Sequence, residues 1–107
     1  MARAVVTEKV LDDGTLIIEL HGELDIAVND ALRDMLVDTI NRRRPARVVV
    51  TMRHVAFVDS TGLGALIAGY NAARDAGVTF EVREVAAFIE QQMRAAGVLD
   101  RLAPSRK

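Results

Sequence analysis

The chain has 107 residues, half of them hydrophobic, with no cysteine, no tryptophan and a formal net charge of −1. That length holds one domain around one modest core, and the apolar fraction rules out a disordered chain. Lack of cysteine removes disulfides, thiolate zinc sites and cysteine nucleophiles together, and the mixed charge leaves no overall basic field for nucleic acid or an anionic membrane.

Residues Met1 to Lys9 carry charge and lack an apolar signal core. No apolar run approaches the roughly 18 residues that span a bilayer. The expectation is a single cytoplasmic domain over 1–107 with a polar tail at about 103–107.

Val5 to Leu11 is predicted as a first strand, followed by hairpin punctuation at Asp12-Asp13-Gly14, where Asp-Gly supplies the positive φ of a tight turn. The second strand runs from Thr15 to His21, with Leu16, Ile18 and Leu20 on one face, and Gly22-Glu23-Leu24-Asp25 closes it. A helix from about Ala27 to Arg42 carries an apolar stripe of Val28, Leu32, Met35, Leu36 and Ile40. The arginines 42–44 and then Pro45 stop it, since cations suit the negative helix end and proline cannot continue the helix.

Val48-Val49-Val50 has the β-branched run of a strand buried on both faces, and it leads through Arg53-His54 to Val55-Ala56-Phe57-Val58. The next helix is expected from Ser60 to Ala76, with Leu63, Leu66, Ile67 and Tyr70 on one side and Gly77 as its left-handed cap. Val78, Phe80 and Val82 alternate as a strand, and Ala86 to Ala96 form a short helix using Ile89 and Met93. Val98, Leu99 and Leu102 are expected to cover a sheet edge or to add a last turn. The pattern is an α/β sheet with a parallel core.

The informative segment is Phe57-Val58-Asp59-Ser60-Thr61-Gly62-Leu63-Gly64, where an apolar strand ends and a helix begins. Asp59 or Ser60 is expected to cap that helix. Ser60 then lies on the surface at the C-terminal end of a central strand, the edge where open α/β sheets place their sites. Ser60 and Ser105 are the only serines in the chain.

Asp59-Ser60-Thr61-Gly62-Leu63-Gly64 after a valine-rich strand resembles the signature of the STAS domain family, most closely its bacterial anti-sigma-factor antagonists. Gly22-Glu23-Leu24-Asp25 matches the second motif of that family, and the likeness covers nearly the whole chain. The resemblance implies a mixed, mostly parallel sheet with helices mainly on one face. It also implies a partner-switching protein with no catalytic residue, metal or cofactor, present as a monomer or weak dimer. The expected partners are an anti-sigma serine kinase, which phosphorylates Ser60, and a phosphatase that removes the phosphate. Asp25 and Asp59 match acidic positions flanking the serine, while Thr61, Gly62 and Leu63 match the start of the partner-contacting helix.

Two segments depart from the family pattern. After Asp25 a hydroxyl residue and often a proline are usual, whereas this chain reads Ile26-Ala27-Val28-Asn29-Asp30. The central strand commonly ends acidic, and here it carries Thr51, Met52, Arg53 and His54. Both changes fall on the expected docking edge and bear on which partner fits it.

Enzymatic readings fare poorly. A hydrolase elbow requires glycine two residues before its serine, and Val58 stands there. Only His21, as a solvent-facing strand residue, and His54, as a loop residue, are available as bases. A dinucleotide fingerprint after Gly62-Leu63-Gly64 needs glycine where Ile67 stands, and no Gly-Lys-Ser or Gly-Lys-Thr occurs. The alternative role within the same fold is a STAS scaffold of a signalling complex or an accessory subunit of a lipid-transport ABC system.

Overall fold

The computed structural model describes residues 5–98. Its elements follow the chain as β1 (Val5–Val10), β2 (Thr15–Leu24), α1 (Ile26–Arg43), β3 (Arg47–Val58), α2 (Ser60–Ala76), β4 (Thr79–Arg83) and α3 (Ala87–Ala95). The strands form one sheet in the order β1-β2-β3-β4. β1 and β2 are an antiparallel hairpin, turned at Gly14 with φ +89°. β3 and β4 each run parallel to the strand before them, because α1 and α2 carry the chain back between them. The mixed, mostly parallel α/β sheet is therefore as expected.

Alternation along the strands decides where the helices lie. Leu16, Ile18 and Leu20 of β2, Val48, Val50 and Met52 of β3, and Phe80 and Val82 of β4 are all buried. They share one core with Leu32, Leu36 and Ile40 of α1, Leu63 and Leu66 of α2, and Ile89 and Met93 of α3. The opposite face is polar. There Glu81 pairs with Arg83 at 2.8 Å, and Glu84, just beyond β4, pairs with Arg53 at 2.8 Å.

The strands extend further than the local pattern predicts. β2 continues through the Gly22-Glu23-Leu24 segment instead of closing at His21. β3 is unbroken across Arg53-His54, so His54 is a strand residue and not a loop residue. The 12 residues of β3 lie beside the 10 of β2 through irregularities between Glu19 and His21 and between Gly22 and Glu23. Such bulges bend a strand and re-aim its end. Val98 packs against the core, while Leu99, Leu102 and the polar tail lie outside the described residues.

Candidate functional site

The site is built where β2 and β3 end together. Leu24 and Val58 are paired in register, and the Asp59 N–H donates to the Leu24 carbonyl at 3.2 Å. The next residue on each strand is an aspartate that caps a helix. Asp25 accepts from the Ala27 N–H at 3.1 Å at the start of α1, and Asp59 accepts from the Gly62 N–H at 2.9 Å at the start of α2. Ile26 and Ser60 are then the first residues of their helices, in corresponding positions on adjacent strands.

Close approach makes this arrangement depend on glycine. A Cβ on Gly62 would stand 2.8 Å from the Leu24 carbonyl oxygen and 3.0 Å from Val58 Cγ1. Only a residue without a side chain lets the first turn of α2 rest on the ends of both strands. Gly62 and Leu63 are both buried, so they set the position of the turn. Ser60 and Thr61 are exposed, and Asp25 and Asp59 are half-buried.

The two hydroxyls differ. Among the described residues, none hydrogen-bonds the Ser60 hydroxyl. Thr61 Oγ1, in contrast, donates to Asp59 Oδ1 at 2.6 Å and accepts from Asn29 Nδ2. Asn29 also donates to Asp59 Oδ1 at 3.1 Å. The Thr61 hydroxyl first and the Gly62 amide second hold the Asp59 carboxyl below its usual range, against a smaller opposing effect of desolvation. Asp59 is thus an anion at neutral pH.

Asn29, which the sequence shows only as part of the segment after Asp25, has a structural role there. It is 4% exposed and lies on the buried stripe of α1 with Leu32, Leu36 and Ile40. The available signal was a polar residue on an apolar helix face. Among the described residues none hydrogen-bonds its Oδ1, although the atom is buried.

Three large apolar side chains near these strand and helix ends are exposed. Ile26 is 75% exposed, Phe57 46% and Phe88 51%. Gln92 Nε2 donates to the Val58 carbonyl at 2.8 Å, which anchors α3 beside the end of β3. Phe88 lies four residues before Gln92 and so on the same side of that helix.

His21 and His54 are engaged elsewhere. Their rings stack with centroids 4.8 Å apart, and both approach Glu19 on the polar face of the sheet, at 3.5 and 3.6 Å. Neither hydrogen-bonds Ser60, so no serine–histidine pair forms. Among the described residues no group of three or more histidine, aspartate or glutamate side chains has the arrangement of a metal site, and no helix is long and apolar enough to cross a membrane.

Comparison with known proteins agrees with this architecture. The STAS domain model matches residues 6–106. An anti-sigma F factor antagonist of Paenibacillus polymyxa is 33% identical over 72 residues, which are 67% of this chain and 62% of that protein, so the match spans less than two thirds of the relative. The Bacillus cell fate determinant SpoIIAA in its phosphorylated form superposes with a TM-score of 0.72 at 15% identity, covering 92% of this chain and 88% of SpoIIAA. A sulfate transporter family protein from Wolinella succinogenes superposes with a TM-score of 0.76 at 26% identity, covering 92% and 79% of the two chains. The chain belongs to the STAS domain family.

Proposed function

We propose that this protein binds an anti-sigma serine kinase through the edge around Ser60, frees a sigma factor by doing so, and is released when the kinase phosphorylates Ser60. A phosphatase restores the binding form. The observation that carries this reading is the Ser60 hydroxyl itself, exposed and unbonded at the start of α2 beside an ionised Asp59. The Paenibacillus relative, named for the same antagonism, supports it.

Electrostatics supplies the switch. A phosphoserine adds roughly −1.5 to −2 charges. The amides at the start of α2 favour an anion by about 0.3–1 kcal/mol. Against this, one added like-charge contact near 4 Å at an effective dielectric of 20 costs about 4 kcal/mol. Covering the phosphate with a partner costs several kcal/mol more unless it is paired. A net loss of about 3–4 kcal/mol weakens docking on the order of 100- to 1,000-fold, with the fold unchanged.

A pull-down from native bacterial cytosol with wild type, Ser60→Ala and Ser60→Asp tests the proposal. An ATP-binding kinase retained by wild type and Ser60→Ala but lost from Ser60→Asp is the expected result. Likeness to the Wolinella transporter protein favours a second reading, an accessory STAS subunit of a transport system. That role is indicated if all three variants retain the same membrane-associated partner.

A further inference from the structure

Resting on the antagonist reading above, we infer that Asn29 is a positioning residue that selects which hydroxyl takes the phosphate, withholding Thr61 and leaving Ser60 to the kinase. Ser60 and Thr61 are adjacent exposed hydroxyls at one helix start, so the chain sequence alone does not separate them. Their hydrogen bonds do. Thr61 Oγ1 is held between Asp59, to which it donates, and Asn29, from which it accepts. Thr61 and Asn29 also line a cleft of about 390 Å³ between α1 and α2 that Ser60 does not line. The Thr61 hydroxyl is thereby tied to α1 through Asn29.

The chemistry of transfer explains why this matters. The accepting hydroxyl oxygen bonds to the γ-phosphorus of ATP, and the β–γ bridging P–O bond breaks with its electron pair leaving on ADP. The hydroxyl proton passes to a base of the kinase. For Thr61 this requires loss of the hydrogen bond donated to Asp59, turning of an oxygen whose other lone pair is held by Asn29, and a phosphate within reach of the Asp59 carboxylate. Asp59 is a weak base for the Thr61 proton, because the Asn29 amide and the Gly62 N–H both donate to Oδ1 and stabilise the carboxylate. Ser60 has neither bond to lose.

The orientation of Asn29 follows from the same network. Asp59 only accepts, so the amide nitrogen of Asn29 must face it, and the buried amide oxygen has no partner among the described residues. A buried acceptor without a protein partner is unfavourable, so the amide orientation is set by Asp59 and Thr61 and not by its oxygen.

The test uses the full chain, ATP and the kinase captured on Ser60→Ala, with phosphate located by mass spectrometry. In wild type nearly all phosphate is expected on Ser60. In Asn29→Ala the ratio of Ser60 to Thr61 phosphate falls on the order of tenfold, the weight of one hydrogen bond. Asn29→Ser, which keeps one donor, gives an intermediate ratio and serves if the alanine variant does not fold. An unchanged ratio in a folded Asn29 variant overturns the inference, because a purely structural role moves the melting temperature alone. Phosphate mainly on Thr61 in wild type overturns it as well. No phosphate on either residue is a different result: the antagonist reading fails, and the selection falls with it.

Discussion

Asn29 on α1 donates to the Asp59 carboxylate at 3.1 Å, so a buried amide steers the side chain that caps α2. The two helices are thereby joined beside Ser60. The cap is tertiary as well as local: Asp59 accepts from its own helix through Gly62 and from a neighbouring helix through Asn29.

Removing the carboxylate should therefore cost more than a surface cap. Asp59→Ala deletes the cap, worth about 0.5–2 kcal/mol, and strands the buried Asn29 donor, at about 1–3 kcal/mol. A total destabilisation of about 2–4 kcal/mol is expected from urea unfolding at neutral pH. Asp59→Asn keeps an acceptor oxygen and should lose about 1 kcal/mol. Equal losses in the two variants would count against the role assigned to Asn29.

Gly62 and Gly64 offer a matched pair one helical half-turn apart. Gly62→Ala forces a Cβ to within 2.8 Å of the Leu24 carbonyl oxygen, whereas a Cβ on Gly64 meets nothing within 4 Å. The first substitution should destabilise by about 1–3 kcal/mol. The second should stabilise by about 0.5–1 kcal/mol, since alanine is the better helix former. Thermal unfolding resolves the difference, at about 4–8 °C per kcal/mol for a domain this small.

Local chemistry explains which parts were legible in the sequence. The Asp59 cap, the Gly14 turn and the Gly77 helix end each depend on a few neighbouring residues, and each stands where it was expected. The continuity of β3 did not show, because Arg53-His54 reads as a break. Those residues are tolerated within the strand because one face of the sheet is open to water. Asn29 was hidden for a different reason. Its partners lie 30 and 32 positions further along the chain, and only the pairing of β2 with β3 brings them together.

Acid should loosen the polar face of the sheet. Arg53 first and Thr51 second hold the Glu84 carboxyl at about 2, well below its ordinary 4.5. A folded-state value below the unfolded one gives stability that is present above the unfolded value and lost as pH falls through the folded one. For Glu84 the window runs from about 4.5 down to about 2. Asp59, shifted in the same direction, adds to the loss on the acid side. Melting temperature should fall from about pH 5 to about pH 2, and Glu84→Gln should flatten the slope there. The group is largely exposed, so the change should be modest. A slope identical to wild type would remove Glu84 from the account.

Ile26 is the sharpest test of where the partner docks. It occupies in α1 the position Ser60 occupies in α2, and at 75% exposure its side chain contributes little to the core. An exposed aliphatic residue at the first position of a helix has no stabilising role of its own, but buried at the centre of an interface it can anchor one. Ile26→Ser should leave the unfolding midpoint within about 0.5 kcal/mol of wild type. The affinity of the unphosphorylated protein for the captured kinase should fall by about 1–3 kcal/mol, or roughly 5- to 150-fold. Titration calorimetry on that complex measures it directly. Undiminished affinity would move the contact surface away from the start of α1 and toward the other exposed apolar residues, Phe57 of β3 and Phe88 of α3.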